Sequence, residues 1–221
     1  MAVQDDQREN ELRELFELVR DEEEGRSGID AYLAVGNVRI PFELKSTTAS
    51  GVTTVRDFGL DHVVKWTGKH WLIGFYDKHG TELQYSLYGS PQQMAPWIEE
   101  KREYISTDIM LADLVPEHLS LDDMRRVCGD KQIYSLSDAR RIQKQQYKAA
   151  EYRAKMDVSD GYSPERMLEI VRDRSRYLIL RGSTLNNPHI PGSYFRQWPR
   201  ITEDHAATLR RMVLEALAGS Q

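Results

Sequence analysis

The sequence predicts a mixed α/β (α+β) fold, in which a small mixed β-sheet is flanked by helices and the C-terminal half is helical. Three observations predict it. Residues 1–100 take the order helix, hairpin, helix, strand, strand. Within them HWLIGFY, residues 70–76, is a nearly apolar run of strand length, as expected of a central strand covered on both faces. Beyond Pro91 the apolar period becomes helical, with segments that begin at Ser or Pro and stop at Gly. No clean linker interrupts the pattern. Residues 1–221 therefore read as a single domain, with a sheet-containing core over 1–100 and a mainly helical part over 101–221.

Each element has a local reason. RENELRELFELVR, residues 8–20, puts Leu12, Leu15, Phe16 and Val19 on one stripe of an amphipathic helix. DEEEGRSG ends it, with Gly25 and Gly28 as breakers. IDAYLAV and VRIPFELK flank Gly36-Asn37, a pair suited to the positive φ of a tight hairpin turn. STTASGVTTVRDFG is a polar connection, and LDHVVKWT a short helix stopped by Gly68. DKHG then turns HWLIGFY into a further strand, ELQYSLYG.

The helical part begins with PWIEEKREYI and continues with SLDDMRRVCG, where Ser120 is the N-cap. SDARRIQKQQYKAAEYRAK is strongly helix-forming and reads as one helix over Asp138–Met156. SPERMLEIVRDRSRYLILRG has Ser163 at its cap, Pro164 in its first turn and Gly182 at its stop. Its end, YLIL, also fits a strand. TEDHAATLRRMVLEALAG closes the chain as an amphipathic helix.

Composition narrows the function classes. A hydrophobic content of 40%, with 4 tryptophans and 11 tyrosines, excludes a disordered chain. A lone cysteine, Cys128, excludes an internal disulfide framework and a CxxC zinc site. No window approaches the roughly eighteen apolar residues of a membrane span, and MAVQDDQREN lacks an apolar leader core. The expectation is a soluble, cytoplasmic protein with no membrane partner. A net charge of −5 argues against nucleic acid, but the charge is uneven. Residues 1–100 carry 10 basic and 18 acidic side chains, whereas residues 131–200 carry 14 basic and 7 acidic. A positive segment thus sits inside a negative protein.

The chemistry concentrates in VRIPFELKST, residues 38–47. Strand alternation puts Val38, Ile40, Phe42 and Leu44 on one face and Arg39, Pro41, Glu43 and Lys45 on the other. Pairing outward from Gly36-Asn37 makes Ala31 the neighbour of position 42, so Asp30 falls beside Glu43. Two carboxylates and a lysine converge at one sheet edge. That cluster suits Mg²⁺, a hard cation that takes one or two carboxylates together with water and substrate phosphate oxygens. Lys45 would orient or help deprotonate the attacking water, or neutralise developing charge. The alternative is the solvated face of an amphipathic strand, with a Glu43–Lys45 surface pair that contributes little.

Gly28-Ile29-Asp30, 12 intervening residues and then Glu43-Leu44-Lys45 resemble the signature of the PD-(D/E)XK nuclease superfamily, with Ile29 where the family often has proline. That superfamily includes most type II restriction endonucleases and many repair and recombination nucleases. Its motif lies on a hairpin preceded by a helix and succeeded by a helix and a strand, the order read over residues 8–76. The resemblance implies a restriction-endonuclease-like core, with Asp30 and Glu43 as metal ligands and Lys45 as the catalytic lysine. Members often add a helix glutamate near the metal. Of Glu9, Glu11, Glu14 and Glu17, the last two point away from the apolar stripe, and Glu11 is the choice between the two that border it.

Two further stretches carry nucleic-acid chemistry. In the helix over Asp138–Met156, Arg140, Arg141, Lys144, Lys148 and Lys155 fall on one side, a stripe of roughly 22 Å at about 1.5 Å per residue. STLNNPHIPGSYFRQWPR, residues 183–200, supplies groups that read base edges: Asn186, Asn187, His189, Arg196, Gln197 and Arg200. Its Tyr194, Phe195 and Trp198 would anchor it, and a loop packed down by those aromatics is the alternative. Arg56-Asp57-Phe58-Gly59 contains a kinase-like DFG without the other kinase motifs. Asp57 is expected to start the next helix with His62 on its surface, and Arg56, Lys65 and Lys69 either touch phosphates or face solvent.

The function expected from these features is a Mg²⁺-dependent, sequence-specific endonuclease hydrolysing phosphodiester bonds of double-stranded DNA. The resemblance implies a type II restriction enzyme, and a palindromic target would make it a homodimer. The alternatives are a repair or junction-resolving nuclease of the same fold, or a non-catalytic DNA-binding module.

Overall fold

The computed structural model describes residues 2–21 and 28–219, so the expected break at Gly25 lies outside the described residues. The elements are α1 (Ala2–Leu15), β1 (Ala31–Val35), β2 (Val38–Thr47), β3 (Val52–Thr53), α2 (Leu60–Trp66), β4 (His70–Tyr76), β5 (Leu83–Gly89) and α3 (Pro91–Glu117). Next come α4 (Leu121–Cys128), β6 (Tyr134–Ser135), α5 (Leu136–Gln143), α6 (Ala149–Ala154), β7 (Gly161–Tyr162) and α7 (Pro164–Gly182). The chain ends with β8 (His189–Ile190), a 3₁₀ turn at Gly192–Phe195, β9 (Arg200–Ile201) and α8 (His205–Ala218). This is the mixed α/β arrangement expected. Among the described residues no helix is long and apolar enough to cross a membrane.

The single domain expected over 1–221 is corrected. The chain divides into two compact units, Met1–Glu103 with Leu185–Gln221, and Tyr104–Thr184. The reason lies in the segment after α7. β8 pairs with β3, and β9 pairs with β5, so residues that read as part of the helical half return to the sheet.

In the first unit a five-stranded sheet runs in the order β1-β2-β4-β5-β9. Only β2 and β4 are parallel; the other neighbours are antiparallel. Gly36 adopts a φ of +58°, which closes the hairpin in the register Ala31↔Phe42 to Val35↔Val38. Leu12 of α1, Phe16 just beyond it, Leu33, Phe42, Leu44, Leu72, and Leu209 and Val213 of α8 belong to one core cluster. β4 is buried along its whole length, in keeping with its apolar sequence.

α1 ends five residues earlier than the apolar stripe suggests. Glu17 turns into the left-handed region at φ 53°, and the Leu18 N–H reaches back to Arg13 O at 2.8 Å, a terminating helix motif. Val19 then exchanges two backbone bonds with Tyr32, at 2.8 and 2.7 Å. Leu12, Phe16 and Leu18 are buried, while Leu15 and Val19 are exposed.

The second unit packs α4, α5, α6 and α7 around Met124, Cys128, Tyr134, Tyr152, Tyr162, Met167 and Ile170. Ser120, Ser135 and Ser163 cap α4, α5 and α7 through their hydroxyls, two of them as expected. YLIL is helical to the end of α7. The single helix over Asp138–Met156 is corrected: α5 stops at Gln143, Lys144 and Gln145 take φ of 46° and 65°, and α6 starts at Ala149. Gln143 is the last residue of α5. Its buried amide donates to Ile170 O at 2.8 Å, which ties the end of α5 to α7. Arg140 and Arg141 lie on α5, Lys144 caps its end, and Lys148 and Lys155 flank α6, so the five do not form one straight stripe.

Candidate active site

The hairpin register continues one step beyond Ala31↔Phe42 and puts Asp30 opposite Glu43, as its turn chemistry requires. Asp30 Oδ2 accepts the backbone N–H of Leu44 at 3.0 Å, which fixes that carboxylate at the open end of the hairpin. Glu43 projects from the other face of β2 from Leu44 and stands in register with Trp71 of β4. α2 covers this face, with Trp66 packed edge-on against Trp71 at 5.1 Å. Glu43 is only 1% exposed as a result.

Three lysines meet the two carboxylates. Lys45 Nζ donates to Glu43 Oε1 and to Leu44 O, both at 2.8 Å, and lies 3.7 Å from Asp30 Oδ2. Lys69, just before β4, donates to Glu43 Oε2 at 3.2 Å. Lys65, on α2, lies 3.6 Å from Asp30 Oδ1 and 3.9 Å from Glu43 Oε2. Sequence reasoning left Lys65 and Lys69 at the surface or on phosphates; the structure buries Lys69 and pairs both. Their signal was position. They flank the end of a helix that leads directly into the strand beside β2.

The electrostatics are set by this packing. Burial alone would raise the Glu43 carboxyl, but Lys45, Lys65 and Lys69 outweigh it and hold the group at about 2. Burial pulls Lys45 down, and Glu43 with Asp30 reverses that and raises it above the usual lysine range. For Lys69 burial wins over Glu43, and the group is lowered. Glu9 is raised, first by burial, then by Asp30, against the opposing pull of Lys45, so it faces the same cluster. Glu11, the helix glutamate expected there, instead accepts a hydrogen bond from Tyr76 OH at 3.0 Å. The correction is one of helix rotation, since α1 is set by Leu12 and Phe16.

A cleft of about 560 Å³ opens beside Lys45, lined by Arg8, Glu9 and Arg56, by hydroxyls that include Thr47 and Thr54, and by Asn187. Among the described residues no three His, Cys, Asp or Glu side chains form a metal-holding group. Mg²⁺ needs no such trio, because it keeps waters and uses substrate phosphate oxygens. Asp30 and Glu43 supply oxygen donors of the kind a hard cation takes. All four of their oxygens, however, already face an ammonium or a backbone N–H. The donor set fits Mg²⁺ if one of these partners gives way.

The remaining expected sites are dispersed. Arg140, Arg141 and Lys144 line a cleft of about 860 Å³ in the second unit, together with Tyr147 and Tyr152. Lys148 is the N-cap residue of α6, and Lys155 pairs with Asp173 at 3.0 Å. In the 183–200 segment Asn187 reaches the cleft beside Lys45, while Arg196 and Gln197 line a different hollow with Gln93 and Tyr194. Asn186 is exposed, His189 belongs to β8, and Arg200 on β9 sits with its guanidinium 4.4 Å above the Tyr85 ring. Phe195 and Trp198 are buried, and Tyr194 OH donates to Gln93 O at 2.6 Å, so the aromatics do anchor this segment. His62 is half-buried, with its ring 5.9 Å from Phe58 and 5.6 Å from Trp66. Gly59, not Asp57, caps α2.

Scans against protein-family models and against curated proteins find no match for this chain.

Proposed function

We propose that the protein is a Mg²⁺-dependent endonuclease that hydrolyses phosphodiester bonds of double-stranded DNA. One observation carries this reading. Glu43 is 1% exposed yet faces three lysines, beside Asp30 and Lys45 at the end of one hairpin. A solvated strand face would leave Glu43 in water. Burying an ion pair costs desolvation that a hydrophobic pair avoids, so this arrangement is poorly explained by stability and well explained by chemistry.

Asp30 and Glu43 would hold the cation. When bound, Mg²⁺ supplies Lewis-acid charge to the phosphodiester and makes water more acidic. Glu43 and Asp30 raise Lys45 above the usual lysine range, which favours a role for its ammonium in orienting water and offsetting negative charge as the phosphorus–oxygen ester bond breaks. Arg8, Arg56 and Asn187 line the cleft in which a strand would lie, with Thr47 and Thr54 as hydroxyl donors to its backbone. Assignment to the type II restriction class, and to a homodimer on a palindromic site, rests on the resemblance of Asp30, Glu43 and Lys45 to the PD-(D/E)XK signature. Incubating plasmid DNA with the protein in Mg²⁺ and in EDTA tests the reading. Discrete fragments in Mg²⁺ alone are expected.

One observation favours a second reading, a non-catalytic DNA-binding module. The lysines and the Leu44 N–H already engage every oxygen of the two carboxylates. Duplex binding without any divalent-metal binding at Asp30 would support that module.

A further inference from the structure

Lys65 and Lys45 both bridge the two carboxylates, but of these only Lys45 also donates a hydrogen bond to one of them. The Lys65 Nζ is 3.6 Å from Asp30 Oδ1 and 3.9 Å from Glu43 Oε2, beyond hydrogen-bond length to both. Lys45 and Lys69 behave differently, each donating a hydrogen bond to Glu43, at 2.8 and 3.2 Å. Lys65 is therefore held by charge alone. Its side chain is 23% exposed, against 5% for that of Lys69. A long, part-exposed side chain can leave into water by rotating, whereas the Lys69 side chain is buried.

Charge balance points the same way. Three carboxylates, Asp30, Glu43 and Glu9, face three ammonium groups, Lys45, Lys65 and Lys69. Positive charge this close to both carboxylates opposes the entry of a divalent ion, and the Lys65 ammonium already stands between them. Removing Lys65 takes away the one of the two bridging ammonium groups that makes no hydrogen bond to either carboxylate.

We infer that Lys65 is a displaceable counter-ion, whose ammonium fills the position between Asp30 and Glu43 that a divalent cation takes and is expelled when that cation binds. This rests on the metal-dependent reading of the same carboxylates and assigns to it a built-in competitor. The site would stay closed by its own lysine at low metal concentration, with Glu43 still neutralised by Lys45 and Lys69. The affinity for metal is weakened by the cost of moving Lys65, much as a fractionally populated binding state weakens any ligand.

The experiment is a Mn²⁺ titration of the full chain without DNA, by calorimetry and by water-proton relaxation. Wild type, Lys65→Met, Lys65→Arg and the double variant Asp30→Asn/Lys65→Met are compared, with circular dichroism to confirm folding and Lys65→Gln as a second neutral variant. Lys65→Met should bind Mn²⁺ about tenfold or more tighter than wild type. Lys65→Arg, which keeps the charge, should not gain affinity, and the double variant should lose the gain. Acylation of the wild type, mapped by mass spectrometry, should label Lys65 more strongly when Mn²⁺ is present. Equal or weaker Mn²⁺ binding by folded Lys65→Met and Lys65→Gln overturns the inference and leaves the nuclease reading standing. Mn²⁺ bound between the carboxylates with no cleavage of any DNA removes the nuclease reading alone. No Mn²⁺ binding by any of the proteins removes both.

Discussion

The carboxylate of Asp30 accepts the backbone N–H of Leu44 across the open end of the β1–β2 hairpin, at 3.0 Å. This bond has a structural role separate from any charge. It satisfies a strand N–H beyond the last hairpin pair and presents the second carboxylate oxygen towards Lys65, 3.6 Å away.

Asp30→Asn keeps an oxygen that can accept from Leu44, while Asp30→Ala keeps none. Asp30→Ala should therefore be less stable than Asp30→Asn by about 1 kcal/mol, the usual value of one such bond. Urea unfolding of the two variants checks this. Equal midpoints would show that the Leu44 bond is not a stabilising contact.

His70 sets an acid limit to stability. Its ring is buried with Nδ1 2.7 Å from Tyr88 OH, and burial lowers it to about 4 from the ordinary 6.5. Between these values the unfolded chain binds a proton that the folded protein does not, so stability is present above pH 6.5 and is lost as pH falls from 6.5 to 4. Stability measured across this window should fall by up to about 3 kcal/mol in wild type. A His70→Phe variant should show a visibly shallower slope; an unchanged slope would assign the acid sensitivity elsewhere.

Lys144 caps α5 in the left-handed region at φ 46°, where a Cβ is unfavourable. Lys144→Gly should relieve about 1–2 kcal/mol of backbone strain, partly offset by the freer unfolded chain, for a small net gain in stability. If the cleft it lines contacts duplex phosphates, the same variant should bind DNA more weakly, with the salt slope reduced by about 1. Higher stability with an unchanged salt slope would leave Lys144 a surface residue.

The hairpin was the most legible part of the sequence, because its information is local. Gly36-Asn37 sets the turn, the turn sets the register, and the register brings Asp30 to Glu43. Lys65 and Lys69 were not legible as partners of these carboxylates. Their approach depends on β4 lying parallel to β2 with α2 over one face, a tertiary fact with no period or cap to reveal it. Glu9 replaces Glu11 for a similar reason, since α1 is rotated by the burial of Leu12 and Phe16 and ends at Leu15. The break after Gln143 was not legible, and the bond that ties this end of α5 to Ile170 spans 27 residues. β9 was missed because two residues, Arg200–Ile201, are too few for an alternating pattern.

Asn187 and Arg196 were indistinguishable in the sequence, but in the structure only Asn187 reaches the cleft beside Lys45. Asn187→Ala should weaken binding of cleavable DNA by about 1–3 kcal/mol, and Arg196→Ala by clearly less, in titrations without divalent cation. Equal losses in both variants would place the DNA outside this cleft.

If Asp30, Glu43 and Lys45 form one metal-dependent hydrolytic centre, each must be needed for cleavage. The direct test is the initial rate of Mg²⁺-dependent DNA cleavage by wild type, Asp30→Asn, Glu43→Gln and Lys45→Met, each shown to be folded. Wild type should cleave, EDTA should abolish that cleavage, and every variant should fall by at least about 100-fold. Undiminished cleavage by a folded Asp30→Asn or Glu43→Gln protein would contradict a shared metal centre.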